Sequence, residues 1–231
     1  GLSGNTLPLV TITDADVLFL NNWQKATYDV YEHFPKAGVV GIVPNPGLAY
    51  YKTENIFREN LFSKNIKSSK IKNVNGVLKF AESVGQLDHF KSKYADTYLT
   101  VSNKDFKAVI GSGHFVATYR SEIFDSNFIR KTEYVLGGNS EEYLLDNQAL
   151  QSNLWRLSTE DNYAYHLGNA ADDWAFEQFK NLTDEDRNFN EHIYKHKIKI
   201  PFFVHVYTSF ANKIFGSYKF QKLVLRKKFK N

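Results

Sequence analysis

Leu9-Val10-Thr11-Ile12-Thr13-Asp14-Ala15-Asp16-Val17-Leu18-Phe19-Leu20 is an apolar, β-branched run interrupted at its middle by two carboxylates one residue apart. Short runs of this composition form buried strands of α/β sheets, and an aspartate buried there needs a partner or a cation. In an extended or tightly turned Asp-X-Asp both side chains leave the backbone at nearly the same height. Both then reach one hard divalent ion, or the phosphates that it carries. Open α/β sheets place their ligands at the carboxyl ends of strands, which locates the expected site just beyond Thr13. A competing reading makes Asp14 and Asp16 turn or N-cap residues ahead of a helix. Against it stands Val17-Leu18-Phe19-Leu20 directly after them, since a turn aspartate is rarely followed by such a run.

Outward from this run, residues 22–34 place Trp23, Ala26, Thr27, Val30, Tyr31 and Phe34 at helical spacing, closed by Pro35 and Gly38. Val39-Val40-Gly41-Ile42-Val43 reads as a second buried strand ended by Pro44-Asn45-Pro46-Gly47. Strand, helix and strand at this spacing predict a right-handed βαβ unit with parallel strands. Residues 55–62 read as a short helix. Residues 63–76, polar and aperiodic with Lys64, Lys67, Lys70 and Lys72, read as a mobile loop and a lid for any site beside it.

Farther along, Ala108-Val109-Ile110, Gly111-Ser112-Gly113-His114 and Phe115-Val116-Ala117-Thr118-Tyr119 form a strand, a glycine turn and a second apolar segment. The two glycines permit close approach of a ligand or a helix; an ordinary tight turn with a packed His114 accounts for the same letters. Residues 139–150 open on a capping signal and carry Glu141 and Glu142 in the first turn, where a helix dipole favours acids. Leu154-Trp155-Arg156-Leu157 reads as a short strand, and residues 172–182 as an amphipathic helix through Trp174, Ala175, Phe176 and Phe179. The remainder is helical and basic, so the expected division is a core over 1–185 and an extension over 186–231.

Composition narrows the classes. With 42% hydrophobic and 16% aromatic residues, 19 Phe and 14 Tyr among them, the 231-residue chain packs a core rather than remaining disordered. No Cys is present, which removes thiolate nucleophiles, cysteine zinc sites and disulfides and fits a reducing compartment, so a cytoplasmic location is expected. Residues 200–207 are the longest apolar stretch near the end. They are too few to span a bilayer and include Pro201 and His205, and no signal-peptide pattern is visible. Lys and Arg number 29 against 25 acids, but residues 219–231 hold six of the basic ones and no acid. Removing those six from 29 leaves 23 against 25, a net of −2, so the basicity belongs to a tail and no nucleic-acid partner is expected.

Taken in order, Thr13-Asp14-Ala15-Asp16-Val17-Leu18-Phe19, Trp23, the strand Val39-Val40-Gly41-Ile42-Val43-Pro44, Gly111-Ser112-Gly113-His114 before Tyr119-Arg120, Glu141-Glu142 and His166-Leu167-Gly168-Asn169 resemble the second half of a GT-A-fold glycosyltransferase of the large family-2 type. The resemblance covers roughly residues 5–170 and implies an α/β fold: a GT-A-like, mostly parallel sheet flanked by helices, with the N-terminal nucleotide-binding portion largely missing. The chain contains no Met and begins at Gly1 a few residues before the Asp-X-Asp strand; if a longer protein exists, the missing nucleotide-binding segment is expected to precede Gly1.

The implied activity is metal-dependent, inverting transfer of a sugar from a nucleotide-sugar donor to a glycan or lipid-linked acceptor. By the same resemblance Asp16 is a direct ligand of Mn²⁺ or Mg²⁺, Asp14 lies near the metal or the ribose, and His166 completes the metal shell. Glu141-Glu142 occupies the place of the family's acidic pair, usually Glu-Asp, whose carboxylate takes the acceptor proton. Glu142, Glu141 and Asp146 therefore compete for the role of base. The donor- and acceptor-binding residues are expected to be Asp14, Gly111, Ser112, Gly113, His114, Trp155 and Arg156.

Two other classes compete. One is a catalytically inactive or truncated GT-A module serving as a scaffold or carbohydrate-binding partner. The other is a phosphotransferase using the same acids, for which the phosphate-cradling glycine loop is missing. In the tail, Phe220, Leu223, Val224 and the stem of Lys227 recur at helical spacing among Lys219, Lys222, Arg226 and Lys230. Such a helix either rests on an anionic membrane at the inner face or packs its apolar side on the body with its lysines in water.

Overall fold

The computed structural model describes residues 7–94, 96–124, 140–168, 172–183 and 202–228. In chain order the elements are β1 (Leu9–Thr13), β2 (Val17–Phe19), α1 (Trp23–His33), β3 (Ala37–Gly41), α2 (Glu54–Glu59), β4 (Ile66–Lys70), α3 (Val74–Ser83), α4 (Leu87–Lys93), β5 (Thr97–Asn103), β6 (Phe106–Ile110), β7 (Val116–Arg120), α5 (Asn147–Gln151), β8 (Trp155–Ser158), β9 (Ala164–His166), α6 (Asp173–Lys180), α7 (Phe202–Phe215) and α8 (Tyr218–Lys228). Short 3₁₀ turns at Pro46–Leu48 and Ser121–Phe124 and a π-helical turn at Glu142–Asp146 join them.

The fold is α/β, with a seven-stranded sheet ordered β1-β7-β3-β8-β6-β5-β4 and a separate two-stranded sheet of β2 and β9. The expectation of a mostly parallel sheet is corrected here: β3 with β8 is the parallel pair, and β1–β7, β3–β7, β4–β5, β5–β6 and β6–β8 are all antiparallel. β1 and β3 do run in one direction around α1, but β7 enters between them and pairs with both. A strand-helix-strand pattern specifies direction and not adjacency, and β7, buried at all five positions, takes the slot between them. Tyr31 Oη on α1 donates to the Thr118 carbonyl at 2.7 Å, and Arg120 Nε donates to the Ala37 carbonyl at 2.7 Å. α1, β3 and β7 are thus tied together by buried polar contacts as well as by the ladder.

Burial follows position in the sheet. β3, Ala-Gly-Val-Val-Gly, is buried throughout because both of its faces are covered. Val40 packs with Tyr31, Ile56, Phe57, Leu157, Val224 and Leu225 on the side of α1, α2 and α8. Its neighbour Val39 packs with Tyr119, Ile123, Ala149 and Leu154 on the other side, as the period of two requires. β1 is an edge strand and only partly buried, so the opening run is neither a central strand nor one strand. It breaks at the aspartates, and Val17–Phe19 leaves for the second sheet.

The expected mobile lid over residues 63–76 is replaced by the edge strand β4 and the start of α3. β4 reads as a loop because only Ile66 of its five residues is fully buried and its lysines face water, a composition that protects a sheet edge from further pairing. Ser69 Oγ and Thr100 Oγ1 meet at 2.8 Å across β4 and β5. The Asn73 side chain accepts from the Gly76 amide at 2.8 Å and starts α3. At the far end Val224 and Leu225 of α8 belong to the main core, while the expected boundary at 185 and the capping residue Asn139 lie outside the described residues.

Candidate functional site

Backbone pairing assembles the carboxylate pair with a histidine distant in sequence. After β1 the Asp14 amide donates to the Phe115 carbonyl at 2.7 Å, the chain turns through Ala15, and the Leu167 amide donates to the Asp16 carbonyl at 2.8 Å. In the antiparallel β2–β9 pair Val17 stands opposite His166. Nε2 of His166 is 3.5 Å from Asp16 Oδ2. One ligand atom from each of Asp14, Asp16 and His166 lies within 4.8 Å of the others. The convergence expected of these three residues is what the structure shows.

Neighbouring groups hold the imidazole in place. Nδ1 of His166 is 3.1 Å from Ser83 Oγ at the end of α3. Phe115 and Phe80 present ring edges to it, with centroids at 5.3 and 6.5 Å. A hydroxyl on one ring nitrogen leaves Nε2 turned to the carboxylates, the arrangement in which histidines bind metals. Partial burial and then the Asp16 carboxylate push the Asp14 carboxyl above its usual range, against the opposing pull of His114 and His166. Two carboxylate oxygens and one imidazole suit a divalent cation such as Mn²⁺ or Mg²⁺, and a cation there would relieve that repulsion.

Beside the triad opens a cleft of about 460 Å³. Asp14, Ser112, Gly113, His114, Asp146, Arg156 and His166 line it, together with Asn45, Leu48, Tyr51, Phe80, Val84 and Phe115. The chain enters the cleft at Gly111, whose φ of +101° favours glycine; a Cβ there would stand 2.6 Å from the Leu48 carbonyl oxygen. Its amide donates to the Arg156 carbonyl at 2.9 Å, and its carbonyl accepts from Ser158 Oγ at 2.6 Å. Gly111 therefore supports the floor of the cleft from beneath.

The back wall is an ion pair. Arg156 is 0% and Asp146 2% exposed, with a guanidinium nitrogen 2.8 Å from Asp146 Oδ1. The same guanidinium donates to the carbonyls of Asp146 and Ser112. His114 Nδ1 lies 3.2 Å from Asp146 Oδ2, and Tyr51 Oη donates to that oxygen at 3.3 Å. Burial pushes the Asp146 carboxyl up, but the hydrogen bond from His114 and the Arg156 charge outweigh it and hold the group below its ordinary value. The same hydrogen bond, against burial, raises His114. Burial and the Asp146 charge push the Tyr51 phenol up to about 12.

These contacts sort the three candidate bases. Asp146 reaches the cleft but its oxygens are engaged and its basicity is depressed, which suits a structural lock better than proton removal. Glu142 is paired with Lys52 at 2.7 Å. Glu141 accepts from Ser140 Oγ at 3.1 Å, and its charge is felt at both Asp14 and His114, raising each.

Trp155, expected as a binding residue, is corrected. Its indole donates to Glu59 at 3.0 Å and its ring packs against the cluster of α1, α2 and α8. Trp155 and Arg156 are consecutive on β8 and so face opposite sides of the sheet. Sequence reasoning missed Tyr51, Phe80 and Ser83, which carry no motif. Asn45 did leave a signal in Pro44-Asn45-Pro46-Gly47, where its side chain accepts from the Gly47 amide at 2.9 Å in an Asx turn.

No protein-family model, curated protein or solved structure matches the chain.

Proposed function

We propose that the protein is a metal-dependent, inverting glycosyltransferase or the acceptor-side part of one, its mixed sheet forming the second half of a GT-A-like domain. The observation that carries this reading is the convergence of Asp14, Asp16 and His166, far apart in the chain, at the mouth of a cleft of about 460 Å³. The donor is a sugar nucleotide and the acceptor a hydroxyl of a glycan or lipid-linked glycan. Asp14, Asp16 and His166 would hold a divalent cation, which when bound would supply positive charge against the diphosphate leaving group.

The other roles fall to residues that line the cleft and to Glu141, whose charge reaches Asp14 and His114. His114, whose pKa is raised by its hydrogen bond to Asp146, lines the cleft on the Asp14 side and when protonated places positive charge there. The Arg156–Asp146 pair holds the loop Ser112-Gly113-His114 in place through the Ser112 carbonyl. Glu141 takes the proton from the acceptor hydroxyl, whose oxygen bonds to the anomeric carbon as the bond from that carbon to the diphosphate oxygen breaks. Phe80, Phe115 and Leu48 give the cleft apolar walls against a sugar ring.

Transfer and hydrolysis measured over a panel of UDP-, GDP- and dTDP-sugars with Mn²⁺ test the reading. Activity with one donor, lost in Asp16→Asn and reduced in Glu141→Gln, is the expected result. Turnover of none of them, with Mn²⁺ still bound, would favour the inactive GT-A module.

A further inference from the structure

α7 presents large apolar side chains to water. Among its described side chains Thr208 and Ala211 are buried, while Phe203, Val206, Tyr207 and Phe210, at i, i+3, i+4 and i+7, form an exposed stripe with Phe203 at 69% and Phe210 at 65%. Lys213 continues the stripe by one turn and is exposed. Contiguous exposed apolar area of this kind marks an interaction surface.

The next helix carries the complementary feature. α8 buries Gln221, Val224 and Leu225 against the body and exposes Lys219, Lys222, Leu223 and Arg226, again at i, i+3, i+4 and i+7. The face expected of the tail is thereby corrected: Val224 packs inward and Leu223 outward. Gly216 and Ser217 alone separate the two helices, and residues 202–231 contain seven Lys or Arg and no Asp or Glu.

We propose that the outward faces of α7 and α8 form a docking surface for an anionic lipid bilayer, with the aromatic stripe of α7 entering the headgroup boundary and the basic stripe of α8 meeting the lipid phosphates. The charge selects this occupant. Aromatic and aliphatic residues beside lysines, in a stretch without acids, are the composition of helices that lie in the membrane interface, and each basic residue near an anionic surface favours binding by about 1 kcal/mol, roughly five-fold. Docking rests on these two helices alone. One consequence rests on the function proposed above: α7 packs on α5, which starts directly after Asp146, so a bilayer there would hold lipid-linked acceptors beside the cleft.

Co-sedimentation of the full chain with phosphatidylglycerol–phosphatidylcholine vesicles, and with phosphatidylcholine alone, tests the docking. The expected result is pelleting with the anionic vesicles only, weakened by salt. Phe203→Ser/Phe210→Ser is expected to lower the bound fraction by at least about ten-fold, and Lys219→Glu/Lys222→Glu/Arg226→Glu to abolish binding at low salt. Circular dichroism of both variants should match the wild type because the altered side chains are exposed. Wild-type protein that stays in the supernatant, or a Phe203→Ser/Phe210→Ser variant that pellets as well as wild type, would overturn the proposal. So would a concentration-dependent dimer that the same variant dissociates in lipid-free buffer, since a second copy would then cover the stripe.

Discussion

Replacing Asp146 by Ala strands a guanidinium that the fold has removed from water. The Arg156 side chain is 1% and that of Asp146 3% exposed, so the pair lies in the regime where losing one partner costs about 3–5 kcal/mol and not the ~0–1 kcal/mol of a surface pair. Two acceptors survive the change, the carbonyls of residue 146 and Ser112, which places the expected loss at the lower end, about 3 kcal/mol. Arg156→Leu leaves the Asp146 carboxylate with His114 and Tyr51 and should cost a similar amount, about 3 kcal/mol. Additive effects would make the double variant twice as unstable as either single one. Because both stranded charges disappear together, the double variant is instead expected to lose no more than about 3 kcal/mol, a coupling of the same size. Urea unfolding followed by the fluorescence of the three tryptophans measures all four proteins. Single variants that cost under about 1 kcal/mol, or a double variant that shows simple additivity, would refute the idea that this ion pair braces the cleft.

Three further outcomes follow from the same geometry. Asp146 is depressed, so its contribution to stability is complete above the ordinary carboxylate pKa of about 4 and lost as pH falls through the lower folded value. His114 is raised, so its contribution is complete below about 6.5 and lost as pH rises through the higher folded value. The stability advantage of wild type over His114→Gln should therefore shrink on titrating upward past pH about 6.5, and an advantage that grows there would contradict the assignment. Ser83→Ala removes the hydroxyl on His166 Nδ1 and is expected to weaken Mn²⁺ binding by about ten-fold or more; unchanged affinity in a calorimetric titration would show that the hydroxyl does not orient the ring. Gly111→Ala combines φ of +101° with a Cβ 2.6 Å from the Leu48 carbonyl oxygen, a strain of about 1–3 kcal/mol before the clash is counted. A wild-type melting curve for it would mean that the turn yields freely.

Local pattern carried the sequence analysis as far as local physics reaches. The spacing of Thr27, Val30 and Tyr31 marked α1, the continuous apolar run marked β3, and the glycine turn between β6 and β7 was visible. Asp14 and Asp16 stood out as two carboxylates within an apolar run, whereas His166 entered through the family resemblance, and its meeting with them depends on β2 pairing with β9. Long-range pairing stayed hidden: nothing in Val116-Ala117-Thr118-Tyr119-Arg120 says that it will part β1 from β3. β4 was lost because an edge strand that protects itself with lysine looks like a loop. Trp155 was assigned to the site and Arg156 given only a binding role because strand register, which decides the face each one takes, is not written in four residues. Asp146 looked like a base until Arg156, His114 and Tyr51 were seen around it.

The central claim, that Asp14, Asp16 and His166 form a divalent-metal site, is tested most directly by titrating the protein with Mn²⁺ in the calorimeter, alone and with a nucleoside diphosphate present. The account predicts one saturable site in the wild type, strengthened by the diphosphate, abolished in Asp16→Asn and weakened in His166→Gln. A wild type that takes up no Mn²⁺ under either condition, or an Asp16→Asn variant that binds it as tightly as wild type, would contradict the claim.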